Sequence, residues 1–125
     1  MQSEINEVTV NGIAYVRKDR VNAGYTPASV DGLDLVLVRT YSAGVHVGYL
    51  DDRVGKEVIL LNSRRIWQWV GASELCQLAV EGVKSPDKCK ISWVVPEITL
   101  TEAIEIIPVS TAAKATLDAA KPWKQ

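Results

Sequence analysis

The side chains best suited to binding chemistry lie in one short segment, NSRRIWQW at 62–69. Because side chains alternate between the two faces of an extended strand, Arg65, Trp67 and Trp69 would share one face. Arg64 would lie on the other face. A guanidinium pairs with phosphate oxygens and a flat indole stacks on a base, so these residue types in this pattern suit a nucleotide. The same spacing also fits tryptophans in the core or in a dimer interface, with the arginine reaching water.

Arg39 interrupts an otherwise apolar run at 35–41. A charge in such a run must lie at an edge, pair with an acid or meet a ligand. With Tyr41 on the same face it would bind phosphate beside an aromatic wall, and a salt bridge fits the sequence equally well. The turn at 42–44 would add backbone N–H groups for an anion. The predicted ligand-binding residues are Arg39, Tyr41, Asn62, Arg64, Arg65, Trp67 and Trp69.

Catalytic motifs are missing from the sequence, which has no GxSxG, HExxH, GxxxxGK[ST] or GxGxxG. His46, the only histidine, is expected to be structural rather than catalytic. Cys76 and Cys89 form no CxxC pair, so we expect free thiols in a reducing compartment rather than a zinc site or a disulfide. The sequence therefore predicts a binding protein that is not an enzyme and uses no metal or cofactor.

Charge and composition limit the partners. The chain has 125 residues, enough for one globular domain, and its 14 basic and 15 acidic side chains lack the basic excess of a duplex-binding protein. The first residues lack the basic and apolar regions of a signal peptide, and no apolar run is long enough to cross a membrane. We expect a cytoplasmic protein that binds neither a DNA or RNA duplex nor a membrane.

An antiparallel meander must position these side chains. Apolar and β-branched runs separated by turn residues predict consecutive strands. The predicted fold class is α+β, an antiparallel β-sheet meander core with one central helix and a short C-terminal helix, in an oligomer. The predicted strands are 35–41, 45–50 and 57–61, the last continuing to 69.

Two helices are predicted after the meander. Ser73 is the expected N-cap of a helix at 74–81, and Gly82 suits the left-handed position at its end. The alanine-rich segment at 111–120 predicts the short C-terminal helix.

The segment at 97–107 is ambiguous. Thr99 and Glu102 have the spacing of a capping box, which would begin a helix. The many β-branched residues and the stop at Pro108 favour a strand, and a strand is the prediction adopted.

The N-terminal part is predicted to be an anchor. Asn11 and Gly12 suit a type I′ turn between short strands, which predicts a hairpin over 7–16. The polar stretch at 17–34 is expected to form a loop or a short helix that could tether a partner subunit. One domain, 1–125, would thus comprise an N-terminal hairpin or anchor segment at 1–34, a core at 35–108 and a C-terminal helix and tail at 109–125.

The core resembles a set of short phage and prophage proteins, identified as the first type of Thoeris anti-defence protein. The resemblance covers 35–108 and departs from the family pattern in two places. The segment before Leu35 carries no match, and the loop at 85–91 has Lys88 and Ile91 where the family form has Asn and Phe. The stretches that carry the resemblance are VRTYSAGVHVG at 38–48, NSRRIWQW at 62–69, SELCQLA at 73–79, EGVK at 81–84 and LTEAIEIIP at 100–108.

Members of that family are sponges. They bind glycocyclic ADP-ribose isomers made by bacterial TIR-domain proteins, and some hold cyclic oligonucleotides at separate sites, without making or breaking a bond. The resemblance implies a phage anti-defence protein that blocks Thoeris- or CBASS-type signalling in the host cytoplasm during infection. It also implies intertwined dimers that assemble into larger homo-oligomers such as hexamers.

Two alternatives stay open at this point. One is a phage structural or regulatory oligomer with no small-molecule ligand, in which Trp67 or Trp69 builds the interface. The other is an enzyme that degrades such signals through His46. The sponge predicts that replacing Arg64 or Arg65 with alanine abolishes ligand binding and leaves the oligomer intact.

Overall fold

Seven antiparallel strands form a single sheet in residues 26–123, the part of the chain that the computed structural model describes. The strands run in the order β1-β2-β3-β4-β5, with β6 also pairing with β4 and β7 also pairing with β2. The predicted α+β class and the meander are confirmed, and the predicted hairpin at 7–16 lies outside the described residues. The strands are β1 Ser29–Val30, β2 Leu33–Thr40, β3 Val45–Val54, β4 Glu57–Gln68, β5 Lys90–Ile91, β6 Val95–Leu100 and β7 Ala103–Pro108.

The sheet is curled. Strand β6 pairs with one edge of β4 and β7 with one edge of β2, yet only residues 101–102 separate β6 from β7. Because β3 lies between β2 and β4, this short link draws two distant edges together and encloses one face of the sheet. The enclosed face holds an apolar cluster of Val36, Val38, Val58, Leu60, Leu100 and Ala103.

The other face of the sheet packs against two helices, α1 Leu75–Glu81 and α2 Thr111–Asp118. Leu35 and Leu37 of β2 point to this face, whereas Val36 and Val38 point to the enclosed one. Burial on both faces explains why β2 is an almost continuous apolar run, as central strands covered on both sides are.

The cap of α1 differs from the prediction. Glu74, rather than Ser73, is the N-cap, and its carboxylate accepts hydrogen bonds from the backbone N–H groups of Cys76 and Gln77 at 3.0 Å each. The side chain of Ser73 instead contacts Gln77. Gly82 takes the predicted position after the helix, with a φ of 77°.

The segment at 97–107 was predicted to be one strand. It forms parts of two strands, β6 and β7, so the prediction of a single continuous strand was wrong. The two strands are separated by residues 101–102. There the Ala103 N–H donates to the Lys56 carbonyl at 3.0 Å, and the Tyr41 N–H donates to the Glu102 carbonyl at 3.0 Å. These long-range bonds hold the crossing from the edge of β4 to the edge of β2. No local pattern in the segment specifies them.

Residues 26–34 were expected to form a loop or a short helix, and the structure corrects this. Asp31 and Gly32 have φ values of 54° and 79°, the left-handed pair of a type I′ turn, and connect β1 to β2. Strand β2 therefore begins at Leu33, two residues before its predicted start. The Asp-Gly pair was the signal for this hairpin.

Candidate functional site

Two adjoining cavities open at one end of the curled sheet and share Arg65 and Trp67. We call the smaller one, of about 190 Å³, the inner cavity, and the larger, of about 520 Å³, the outer cavity. The inner cavity is lined by His46, Ser63, Arg65, Trp67, Ser92, Val95 and Ile98. The outer cavity is lined by Ser42, Ala43, Gly44, Val45, Arg65, Ile66, Trp67 and Trp69.

Arg65 and Trp67 meet as their spacing in β4 predicted. The guanidinium carbon of Arg65 lies over the indole of Trp67, 5.3 Å from the ring centroid, which is within the range of a cation–π contact. Trp67 is 56% exposed, and its ring centroid is 6.3 Å from that of Trp123 at a tilt of 60°. The indole is therefore supported by two neighbours and still open to a stacking partner.

Strand β4 is bulged just before Arg65. Asn62 has a left-handed φ of 48°, and the pairing with β3 shifts register between Val47 and Tyr49. Gly48 faces this bulge, and a Cβ added there would lie 3.0 Å from the Cβ of Ser63. The glycine thus allows the close approach that places Ser63 in the inner cavity.

Two polar atoms of the inner cavity have no hydrogen-bond partner among the described residues, Ser63 Oγ and Arg65 Nε. Both atoms are buried, and Ser63 as a whole is 1% exposed. An unsatisfied buried donor or acceptor costs about 1–3 kcal/mol, and most native proteins carry few of them. Their hydrogen-bonding capacity is not used by any described residue.

The backbone around Arg65 is fixed by Ser92. The Arg65 N–H donates to Ser92 Oγ at 2.7 Å, and the Ser92 N–H donates to the Arg65 carbonyl at 2.8 Å. These hydrogen bonds involve the backbone of Arg65 and not its side chain. The Arg65 guanidinium has no backbone partner among the described residues. The only salt bridges among the described residues are Arg39–Glu105 and Lys114–Asp118, so no described carboxylate neutralises Arg65.

His46 is 1% exposed and closes the floor of the inner cavity. Its Nε2 atom lies 2.9 Å from the Ala43 carbonyl, which only accepts, so Nε2 carries the ring proton. Burial lowers the pKa of His46, the Ala43 hydrogen bond opposes this, and the charge of Arg65 lowers it further. His46 is therefore a neutral, structural group that ties the 42–44 turn to the cavity.

The 42–44 turn is bound internally. The Ala43 N–H donates to Thr40 Oγ1 at 2.8 Å, and the Thr40 hydroxyl donates to the Gly44 carbonyl at 2.8 Å. The Ala43 N–H is therefore not available to the anion site predicted on this turn. The turn lines one side of the outer cavity.

Arg64 lies apart from Arg65, on the helix side of the sheet. Its guanidinium donates to three backbone carbonyls, those of Ser92 at 2.9 Å, Leu117 at 3.1 Å and Ala120 at 2.8 Å. Two of these carbonyls lie at the C-terminal end of α2, where a positive charge is favourable. The donors of Arg64 are occupied in holding α2 to the sheet.

The structure places the remaining predicted residues outside the two cavities or at their rim. Arg39 pairs with Glu105 at 3.2 Å, with both side chains about half exposed, and Tyr41 is 80% exposed. Asn62 lines a separate groove beside α2 together with Arg64. Trp69 packs against the helix-side core and donates its indole N–H to the Ala72 carbonyl at 3.2 Å, so it contributes only an edge of the outer cavity.

The sequence-based prediction missed Ser63, Ser92 and Trp123. Ser63 alternates with Arg65 and Trp67 along β4, so the same period-two pattern could have found it. Ser92 and Trp123 reach the site through strand pairing and a tilted ring contact, which no local pattern indicates.

Residues 26–123 contain no cluster of His, Cys, Asp and Glu that could hold a metal ion. Cys76 is an exposed free thiol and Cys89 a buried one. None of the helices in this part of the chain is long and apolar enough to cross a membrane.

The model of a protein family described as a domain of unknown function, DUF6948, matches residues 33–117. This match spans the sheet from β2 to β7 and most of α2, and includes every residue that lines the two cavities. No curated protein and no solved structure matches the chain significantly.

Proposed function

The chain belongs to this family of unknown function, and we propose that it binds a nucleotide-derived immune signal and sequesters it unchanged. The proposed ligands are glycocyclic ADP-ribose and cyclic oligonucleotides. In this proposal a phage anti-defence protein acts in the host cytoplasm and blocks Thoeris- or CBASS-type signalling. The observation that carries the proposal is the arginine with an unpaired buried Nε beside a half-exposed indole.

The chemistry of Arg65 and Trp67 supports a nucleotide. A guanidinium binds phosphate oxygens through charge-assisted hydrogen bonds, and stacking of one base on an aromatic side chain is worth about 1–3 kcal/mol. The outer cavity has a volume of about 520 Å³, within the range of small-molecule pockets. Arg64 is left out of the proposed site because its donors are already bound to carbonyls.

Binding without turnover is supported by the side chains that line the cavities. Neither lining set contains a carboxylate or a thiol, and the titratable groups are His46 and Arg65. Burial lowers the pKa of His46, and its Nε2 proton is donated to the Ala43 carbonyl. General acid–base chemistry needs a group that can give or take a proton within reach of the substrate.

Tight sequestration requires a second copy of the chain in this proposal. Nanomolar affinity corresponds to about −12 kcal/mol, which favours a ligand covered on most sides. Trp67 and Trp123 are both exposed at the mouth of the site, 56% and 37% respectively. A partner subunit packed over this mouth would bury the indoles and enclose the ligand, in line with the homo-oligomer that the resemblance implies.

The same exposed indoles favour a second candidate function, a structural or regulatory oligomer with no small-molecule ligand. Aromatic residues are enriched in protein interfaces, so a Trp67–Trp123 surface also suits a purely structural contact. The two candidates differ in whether a nucleotide occupies the site.

The test is isothermal titration of the purified protein with glycocyclic ADP-ribose isomers and cyclic di- and trinucleotides. Bound ligand is then released by heating and analysed for chemical change. We expect saturable binding, an intact ligand, and at least about a tenfold loss of affinity in Arg65→Gln. Arg53→Gln, which removes an exposed arginine near the C-terminal end of β3 and outside both cavities, serves as the matched control and should bind like the parent protein.

Each other outcome has a defined meaning. An oligomer that binds no member of the panel would favour the structural candidate. A ligand recovered in altered form would establish turnover and contradict the proposal.

A further inference from the structure

The inner cavity contains an arrangement that the stability of the fold does not explain. Ser63 and Arg65 both line the cavity of about 190 Å³, and Ser63 Oγ and Arg65 Nε are buried without a hydrogen-bond partner among the described residues. Unsatisfied polar groups are costly in a protein interior. Two such atoms in side chains that line one cavity indicate a place where a polar group is bound.

The lining defines the charge of that group. Among the described residues that line the cavity, Arg65 is the only charged one, since the others are a neutral His46, two serines, Trp67 and two aliphatic side chains. Arg65 Nε–H can only donate, and the Ser63 hydroxyl can donate as well. The cavity therefore favours an anion with several acceptor oxygens.

The size of the cavity defines the extent of that group. A volume of about 190 Å³ lies below the range of pockets that hold whole ligands. A nucleotide does not fit, whereas one phosphate group does. The outer cavity, with Trp67 in the shared wall, has room for a base.

We infer that the inner cavity is a phosphate subsite, in which Ser63 Oγ and Arg65 Nε donate to the oxygens of one phosphate group while the attached base stacks on Trp67 outside. The inference rests on the proposed function for the identity of the whole ligand. It assigns to Ser63 a binding role that neither the sequence pattern nor the family match provides. The bulge at Asn62 and the glycine at 48 are then the features that place the hydroxyl in the subsite.

The experiment uses inorganic phosphate as the probe, titrated into the full-length protein at low ionic strength and followed by calorimetry and tryptophan fluorescence. We expect saturable phosphate binding that Ser63→Ala weakens about tenfold, because a hydrogen bond to a charged group is lost. Arg65→Lys keeps the charge and removes the Nε donor, and it should weaken binding as well. Ser73→Ala, at an exposed serine beside α1, should leave phosphate binding unchanged.

A second readout separates a binding role from a structural one. Without phosphate, Ser63→Ala should unfold at the same or a higher urea concentration than the parent protein, because it removes a buried unpaired hydroxyl. Phosphate should then raise the urea midpoint of the parent protein more than that of the variant. A cavity that holds only water predicts no such difference and would overturn the inference.

The inference and the proposed function fail separately. Phosphate binding that responds to Ser63→Ala, with no binding of any cyclic nucleotide, would establish the subsite and contradict the proposed ligand. Cyclic nucleotide binding that is unaffected by Ser63→Ala and by competing phosphate would support the proposed function and contradict the phosphate subsite. A nucleoside without phosphate should bind weakly and equally to the parent protein and to Ser63→Ala.

Discussion

The guanidinium of Arg65 lies 5.3 Å above the ring of Trp67, and the Nε atom of the same arginine is buried without a partner. The arginine thus contacts an aromatic ring and also lines the inner cavity. A phosphate and a base joined by a sugar need these two environments side by side. This pair is the centre of the proposed site.

Trp67→Ala and Trp69→Ala should differ in their effect on stability. Trp69 is half-buried against the helix-side core, so its removal should lower the free energy of unfolding by about 2–4 kcal/mol. Trp67 is mostly exposed, and its removal should cost less than about 1 kcal/mol. Urea unfolding of the two variants measures both values, and equal losses would show that Trp67 is buried in an interface in solution.

Arg64→Ala should destabilise the protein far more than Arg39→Ala. Arg64 holds three carbonyls, and we expect its loss to cost about 2–4 kcal/mol. Arg39 forms an exposed salt bridge with Glu105, so its loss should cost less than about 1 kcal/mol.

Urea unfolding, with far-UV circular dichroism to follow helix content, distinguishes the two arginine variants. Arg64→Lys should recover only part of the loss, because a single ammonium group cannot span three carbonyls. An Arg64→Ala protein that is as stable as Arg39→Ala would show that the contacts to α2 contribute little.

Gly48→Ala should disrupt the bulge that places Ser63 in the inner cavity. The added Cβ would lie 3.0 Å from the Cβ atoms of both Leu60 and Ser63, so the strands must separate, at a cost of about 1–3 kcal/mol. Adding Ser63→Gly removes the contact with the Ser63 Cβ, while the contacts with the Leu60 Cβ and, at 3.2 Å, with the backbone Cα of residue 63 remain. The double variant should show a favourable coupling energy in a double-mutant cycle measured by urea unfolding, and strict additivity would contradict the predicted clash.

Stability should fall as the pH drops below about 6.5, the pKa of an unfolded histidine. The pKa of His46 is lowered in the folded protein by burial, so the unfolded chain binds the extra proton first. The contribution of neutral His46 to the free energy of unfolding is thus fully present above about pH 6.5. It is lost as the pH falls towards the lowered pKa of His46 in the folded protein.

His46→Gln keeps an N–H donor for Ala43 and removes the titration. The urea midpoints of the parent protein and the variant, measured at several pH values between 7.5 and 5, should converge as the pH falls. Parallel pH profiles would show that other groups dominate this range.

Much of the fold and half of the site follow from local patterns. Apolar and β-branched runs separated by turn residues identified β2, β3 and β4, and Gly82 marked the end of α1, because strand patterns and left-handed φ are properties of a few neighbouring residues. The alternation along β4 correctly placed Arg65 and Trp67 on one face, but it was wrong for Trp69, which packs against the core on the helix side. The break at 101–102 could not be predicted in this way, because it is held by bonds to Lys56 and Tyr41, far away in the sequence.

Arg64 and Arg65 show most clearly where the sequence alone is insufficient. They are adjacent and chemically identical, and the sequence by itself determined only that they occupy opposite faces of β4. The tertiary structure decided which face meets the C-terminal end of α2 and which meets an open cavity, because that choice depends on the packing of α2 against the sheet. Arg64 therefore holds α2 to the sheet, whereas Arg65 keeps a buried Nε that has no hydrogen-bond partner among the described residues.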